Sequence, residues 1–293
     1  MAGEIRIGTS GWHYADWKGL VYPEGVPASR WLSHYVTWFP TVEINATFYR
    51  LARESAARGW HDTAPPGFEF AVKGSQYITH RKRLREVDDE LDRFFAPLRP
   101  VLPVTRVVLW QLPPRWRRNA ERLDRFLEIL PAGPRHAVEF RDDAWFHPDI
   151  DEVLARHGAS NVWLSSNLTQ QHTFARTGDH LYVRFHGLGD EPYRYRYTPA
   201  ELEPWAERLL AEAADGTPAW VYFNNDYDGH AIDNARMLIE MVGEAARPWP
   251  PVPTDDGALR AGGLDDPGQQ RLEPPIDAAE RATEAKADHD QPF

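Results

Sequence analysis

Residues 41–50 combine side chains suited to acid–base chemistry. Glu43 and Asn45 alternate with Val42, Ile44 and Ala46, so a strand here places a carboxylate and an amide on one face and apolar side chains on the other. A carboxylate transfers protons, and an amide orients a substrate. Because charged or amide residues also end several later apolar segments, the pattern predicts one shared site rather than a single solvated strand face.

The candidate site residues fall into two groups. The predicted catalytic residues are Glu43, Lys73, Glu139 and His186. The predicted substrate-binding residues are Ser10, Trp12, Asn45, Gln111, Arg141, Arg184, Asn224, Asn225 and His230. One glutamate is expected to be the general base, and the other glutamate or His186 the general acid. A covalent imine on Lys73 is an alternative. The guanidinium groups and the lysine predict an anionic substrate.

Each of these charged residues also has a structural interpretation. Glu43 could pair with Lys73 or Arg6, because buried charges must be compensated. Glu139 and Arg141 lie two residues apart on one strand face and could neutralise each other. The sequence leaves both interpretations open.

Two loop positions are predicted to touch a ligand for other reasons. Trp12 follows Gly11 at the end of the first predicted strand, where its ring could cover a sugar or a base. His230 is expected in the first turn of the last helix, where backbone N–H groups favour anions. Asp228 and Gly229 just before it are also typical of a cap and a turn.

The composition bounds the class of protein. The chain has 293 residues, of which 42% are hydrophobic, and it contains no cysteine. That is enough for one large core, and the absence of thiols fits a cytoplasmic protein. No apolar run is long enough to span a membrane, so no membrane association is expected. The net charge of −11 argues against a general nucleic-acid surface.

The periodicity of the chain predicts an α/β fold. Strands are predicted at residues 5–10, 42–47, 68–73, 106–111, 136–141, 161–165, 181–186 and 219–224. Most are followed by a helical pattern, including residues 27–40, 53–63, 83–98, 119–130, 148–157, 199–214 and 230–242. Eight such units predict a single (β/α)₈ TIM-like barrel over residues 1–247. Residues 248–293 are rich in Pro, Gly and acidic residues and are predicted to be a disordered acidic C-terminal tail.

Six segments, in order, resemble the YecE-like family, also called domain of unknown function 72. They are GTSGW at 8–12, VEIN and TFY within 42–49, FAVK and ITH within 70–80, WQLPP at 110–114, EFR at 139–141 and YFNN at 222–225. The resemblance covers about residues 5–242 and implies a TIM-barrel fold. It implies no activity, because the family is functionally unassigned.

The function predicted from these observations is that of an enzyme, a hydrolase, lyase or isomerase, acting on a phosphorylated or carboxylated, sugar-like small molecule at the C-terminal rim of the barrel. One alternative is a nucleic-acid-binding or phosphodiester-cleaving barrel using basic residues near positions 81–85 and 115–118. Another is a non-catalytic ligand-binding protein. No nucleotide-cofactor motif is present, no metal site is predicted, and a single metal ion remains compatible with the residues. The oligomeric state is left open.

Overall fold

The computed structural model describes residues 2–167, 174–191 and 193–249. Within these ranges nine strands form one parallel sheet. They are β1 (Ile5–Thr9), β2 (Thr41–Ile44), β3 (Glu69–Lys73), β4 (Thr105–Gln111), β5 (Arg135–Glu139), β6 (Ser160–Asn161), β7 (Trp163–Ser166), β8 (Leu181–Gly187) and β9 (Ala219–Phe223). Their order is β6-β5-β4-β3-β2-β1-β9-β8-β7. Every pairing in this order is parallel.

The strands at the two ends of this order, β6 and β7, are consecutive in sequence and form one interrupted strand. β6 pairs with β5, β7 pairs with β8, and only Val162 separates them. The sheet therefore closes into a TIM-like barrel with eight strand positions, which confirms the predicted fold. The sixth predicted strand is interrupted where one half changes partner, a feature that periodicity does not reveal.

Helices follow the strands as expected for a barrel. They are α1 (Trp31–Tyr35), α2 (Ala46–Tyr49), α3 (Glu54–Thr63), α4 (Asp88–Phe95), α5 (Ala120–Glu128), α6 (Pro148–Arg156), α7 (Pro199–Ala214) and α8 (His230–Val242). The backbone N–H of Arg122 donates to the side chain of Asn119, which caps α5. α7 begins with a capping box between Thr198 and Glu201.

Three predicted elements are shorter in the structure. The predicted second strand ends at Ile44, because Asn45 adopts a helical conformation and α2 begins at once. The helix predicted over 83–98 is α4 followed by a 3₁₀ turn at Ala96–Leu98, and it begins late because Arg83, Leu84 and Glu86 have positive φ angles that no α-helix accommodates. The helix predicted over 27–40 is reduced to a 3₁₀ turn and α1.

Side chains on the two faces of the sheet form separate layers. One cluster fills the barrel interior and consists of Ala71, Val107, Leu109, Ala137, Val162, Tyr182, Trp220 and Tyr222. A larger apolar cluster lies between the sheet and the helices. Interior positions alternate along each strand, so residues two beyond this cluster also point inward at the carboxyl end of the barrel.

The predicted tail lies outside the described residues except for Pro248 and Trp249. Trp249 packs edge-on against Phe68, and its indole N–H donates to the Val36 carbonyl at 2.9 Å. This part of the predicted tail contacts the barrel.

Candidate functional site

Arg184 is the hub of the charged cluster inside the barrel. Its side chain is fully buried, and its two terminal nitrogens bind carboxylates from two other strands. One nitrogen lies 2.7 Å from Glu43 on β2, and the other lies 2.6 Å from Glu139 on β5. Burial alone would lower the pKa of Arg184, but the two carboxylates raise it well above its ordinary value. The guanidinium is therefore a permanent cation.

Glu43 has hydrogen-bond donors on both carboxylate oxygens. Ser10 and Arg184 donate to one oxygen, and the Tyr182 hydroxyl donates to the other. The predicted pairing of Glu43 with Arg6 is wrong, because Arg6 binds Glu69 2.6 Å away at the amino end of the barrel. Alternation gives the face on which a side chain lies but not its height along the barrel.

Glu139 is held between two guanidinium groups. Arg184 binds one oxygen, and the Nε of Arg141 donates to the other. Burial would raise the pKa of Glu139, but Arg141 and Arg184 outweigh burial and hold this pKa well below its ordinary value. Glu139 is consequently ionised and a weak proton acceptor. The predicted neutralisation of Glu139 by Arg141 is present, with Arg184 as a second partner.

His186 is a neutral ring inside the same cluster. Burial and the nearby charges of Arg141 and Arg184 lower its pKa from 6.5 to about 3. Its Nε2 lies 3.2 Å from a nitrogen of each arginine. Guanidinium groups only donate, so Nε2 accepts and the ring proton is assigned to Nδ1. This assignment requires the Asn224 amide, whose Nδ2 lies 2.9 Å from Nδ1, to turn its oxygen toward the ring and accept that proton. Gly187 follows with a φ of 103°, which permits the chain to turn after the ring.

We call Glu43, Glu139, Arg141, Arg184 and His186 the central network. These residues come from β2, β8, the end of β5 and the segment just after it. All five side chains are more than nine-tenths buried. An unpaired charge buried in a protein destabilises the folded state by roughly several kcal/mol. Each charged member of the central network therefore depends on its partners in the network.

A second set of side chains lies beside the network on neighbouring strands. Lys73 ends β3, is 3% exposed, and places its Nζ 4.3 Å from the centre of the Phe48 ring. The next residue, Gly74, packs so tightly that an added Cβ would lie 2.2 Å from Trp110. Asn45 follows β2 and binds Ser10, while Gln111 ends β4. Asn45, Lys73 and Gln111, together with Arg141 of the central network, form what we call the polar arc.

The structure places three other predicted residues apart from these contacts. Trp12 is half-buried and packs edge-on against Trp60 of α3 at 6.2 Å. Asn225 is fully buried and donates to the carbonyl of Tyr195 and the side chain of Asn234, so its amide fastens a loop to α8. His230 is half-buried and begins α8 as predicted. Their roles toward a ligand remain predictions.

Tyr182 is part of the site but was not among the predicted residues. Its hydroxyl binds Glu43, and burial followed by the charge of Glu43 raises the pKa of Tyr182 well above its ordinary value. The phenol is therefore neutral. The sequence alone indicates that Tyr182 faces the barrel interior, because it lies two residues before Arg184 and therefore on the same strand face.

Among the described residues, neither a cluster of metal ligands nor a membrane-spanning helix is present. No group of three or more His, Asp or Glu side chains comes together in a way that could hold a metal ion. Within the same residues, no helix has the length and apolar character needed to cross a bilayer.

The fold and the site define a class of protein: a TIM-like α/β barrel whose charged side chains meet at the carboxyl ends of its strands. The sequence profile of the family described as protein of unknown function DUF72 matches residues 6–256, and the chain belongs to this family. The resemblance drawn from the six sequence segments is thereby confirmed.

Relatives and solved structures agree with this assignment. UPF0759 protein YunF of Bacillus subtilis is 28% identical over 269 residues, which cover 81% of this chain and 94% of YunF. UPF0759 protein YecE of Escherichia coli is 28% identical over 155 residues, covering 53% of this chain and 54% of YecE. The crystal structure of a DUF72 family protein, TM1631 of Thermotoga maritima, is 30% identical with a TM-score of 0.72 and covers 82% of this chain and 99% of its own. EF0366 of Enterococcus faecalis, 18% identical, shares the fold with a TM-score of 0.68 over 82% of this chain and 98% of its own.

Proposed function

We propose that this barrel is an enzyme that binds an anionic, sugar-like small molecule at the carboxyl ends of its strands and acts on it by proton transfer. The observation that carries the proposal is the gathering of three buried cations, Lys73, Arg141 and Arg184, at the carboxyl ends of the strands. Guanidinium and ammonium groups are the side chains that bind carboxylate and phosphate oxygens, so this set favours an anionic ligand.

The geometry favours distinct roles for the charged groups. Glu139 is a weak base because two arginines hold it, and His186 offers no labile proton on Nε2. We therefore assign both residues to positioning Arg141 and Arg184 for substrate binding. Lys73 is the proposed catalytic residue, either as a proton-transfer group or through an imine with a carbonyl substrate.

The test uses the wild-type protein and Lys73→Met in a cell-free metabolite extract analysed by mass spectrometry. Wild type is expected to consume an anionic compound at least 100-fold faster than Lys73→Met, the usual scale for losing a proton-transfer group. Lys18→Met is the matched control, because Lys18 is exposed after β1 and its loss should leave turnover unchanged. Equal turnover by wild type and Lys73→Met would reject the assignment. A compound that is retained but never consumed would favour a non-catalytic ligand-binding protein.

A nucleic-acid-binding barrel is the second candidate, and one observation favours it. The basic segments near residues 81–85 and 115–118 follow β3 and β4, which are neighbours in the sheet. Both segments therefore lie at the same end of the barrel as the central network. Salt-sensitive binding of DNA or RNA oligonucleotides would support this function, and the absence of binding at low salt would eliminate it.

A further inference from the structure

We infer that two arginine-rich segments at the carboxyl end of the barrel form a binding surface for the polyphosphate group of a small molecule. The segments are residues 81–85 and 115–118, and together we call them the arginine rim. The arginine rim lies outside the central network and the polar arc, so this inference goes beyond the chemistry proposed for Lys73. It is carried by arginines that have no carboxylate partners and by the strained backbone that holds them.

The first observation is a concentration of exposed arginines without carboxylate partners. Within the described part of the chain, five exposed guanidinium groups of the rim form no ion pair and no hydrogen bond, and they belong to Arg81, Arg83, Arg85, Arg117 and Arg118. Lys82 between them differs, because it is paired with Glu90 at 3.4 Å. Elsewhere on the barrel, the exposed Arg58, Arg156 and Arg196 bind carboxylates at 2.7, 2.9 and 2.9 Å. On a chain with a net charge of −11, the arginine rim is therefore a local positive surface.

The second observation is that both segments present their arginines in the same way. Arg83 has a φ of 49° and precedes the buried Leu84, and Arg115 has a φ of 55° and precedes the buried Trp116. The indole of Trp145 donates to the Trp116 carbonyl, which anchors the second segment further. A left-handed backbone is costly for any residue with a Cβ, and strain of this kind is concentrated at functional sites. The shared backbone geometry therefore marks the two segments as a functional surface.

The fold places both segments at the same end of the barrel. β3 and β4 are parallel neighbours, and the two segments follow the carboxyl ends of these strands. A π-helical turn, Tyr77–Arg81, leads from β3 into the first segment, and such turns frequently occur at functional sites. The second segment begins four residues after Gln111, the last residue of β4. The arginine rim therefore shares the carboxyl end of the barrel with the central network.

The exposure of these arginines selects a ligand with several negative charges. A single ion pair in contact with water contributes little to binding, because water and salt screen the two charges. A polyphosphate group contacts several guanidinium groups at once, so the small contributions add together. Each guanidinium also donates two parallel N–H bonds to one phosphate, which a lysine does not. An arginine-rich exposed surface therefore fits a polyphosphate better than a monoanion.

Acidic residues limit the extent of this positive surface. Exposed carboxylates follow both segments in the chain or lie beside the Trp145 that contacts Trp116, and they are Glu86, Asp88, Asp89, Glu121 and Asp143. A nucleic-acid strand carries a continuous row of phosphates, which these carboxylates repel where the strand extends beyond the arginines. The di- or triphosphate group of a small molecule is short enough to remain on the arginines. The observations therefore favour a compact polyphosphate over a nucleic acid.

The experiment is a calorimetric titration of the full-length protein, without divalent cations, using tripolyphosphate, orthophosphate and a short single-stranded DNA oligonucleotide. We expect tripolyphosphate to bind at least about tenfold more tightly than orthophosphate, and more tightly than the oligonucleotide. Arg85→Gln/Arg117→Gln removes one cation from each segment and should weaken tripolyphosphate binding about tenfold. Arg93→Gln/Arg99→Gln is the matched control, because both arginines are exposed and neither forms an ion pair among the described residues. The control should bind tripolyphosphate as wild type does.

Several outcomes would overturn this inference without touching the proposed function. Tripolyphosphate that binds no more tightly than orthophosphate, or does not bind at millimolar concentration, overturns it. Binding that Arg85→Gln/Arg117→Gln leaves unchanged, or that the control variant weakens equally, overturns it as well, because the arginine rim would then not be the site. Tighter binding of the oligonucleotide, weakened by Arg85→Gln/Arg117→Gln, would assign the surface to nucleic acid instead. Turnover in the metabolite extract tests the role of Lys73 separately.

Discussion

Replacing Glu43 with glutamine keeps the shape of the side chain and removes one charge from the fully buried pair with Arg184. The two groups lie 2.7 Å apart, and both side chains are 0% exposed. Breaking a buried pair typically costs about 3–5 kcal/mol, because the remaining charge stays uncompensated. Arg184 retains Glu139 at 2.6 Å, so we expect the low end of that range, about 3 kcal/mol. For a barrel of this size, that loss lowers the Tm by roughly 6–12 °C.

The assay is urea unfolding of wild type and variants followed by tryptophan fluorescence and circular dichroism. Glu54→Gln is the matched control, since the Glu54–Arg58 pair has the same 2.7 Å distance but its side chains are 63% and 59% exposed. Exposed pairs contribute little, so the control should unfold like wild type. A double-mutant cycle with Arg184→Met should show a favourable coupling of at least about 2 kcal/mol. A loss below about 1 kcal/mol for Glu43→Gln, or no coupling in the cycle, would refute the buried network.

Three further outcomes are expected. Lys73→Met should lose at least about 100-fold in turnover while its urea midpoint stays near that of wild type. A large fall in the urea midpoint together with the loss of turnover would show that Lys73 has a structural role. Stability should fall as pH drops below about 6.5 toward 4, because His136 and His180 have pKa values of about 4, so the unfolded chain binds protons that the folded chain does not. Urea unfolding at pH 7.5 and pH 5 measures this change in the free energy of unfolding, to which each histidine contributes about 1.4 kcal/mol per pH unit. The stability of His180→Gln should depend less steeply on pH than that of wild type. Asn234→Leu should cost about 2–3 kcal/mol, since Asn234 binds both backbone groups of Tyr197; a thermal melt unchanged from wild type would contradict this.

The fold could be predicted from the sequence because strand alternation and helical periods are local signals. The eight strand positions and the inward direction of Glu43, Glu139 and Arg184 follow from residues a few positions apart. The interruption of one strand at Val162 could not be predicted, since it results from the closure of the barrel. The early end of β2 was also missed, because the conformation of Asn45 depends on its bonds to Ser10, 35 residues away.

The partners inside the site were harder to predict than its members. Arg184 joins Glu43 and Glu139, which are 141 and 45 residues away in sequence, and no local pattern encodes such pairings. Alternation gives no height along the barrel axis, so Arg6 was a possible partner of Glu43 in sequence although it binds Glu69 at the opposite end. The neutral state of His186 follows from burial and from two arginines, and both became visible only in the assembled barrel.

The most direct test is a crystal structure of the protein soaked with the anionic compound that wild type consumes. We predict ligand density at the carboxyl end of the barrel, with the anionic group of the compound beside Lys73 and Arg141. A compound bound elsewhere on the molecule, or bound at this end with its anionic group turned away from both cations, would contradict the proposed site.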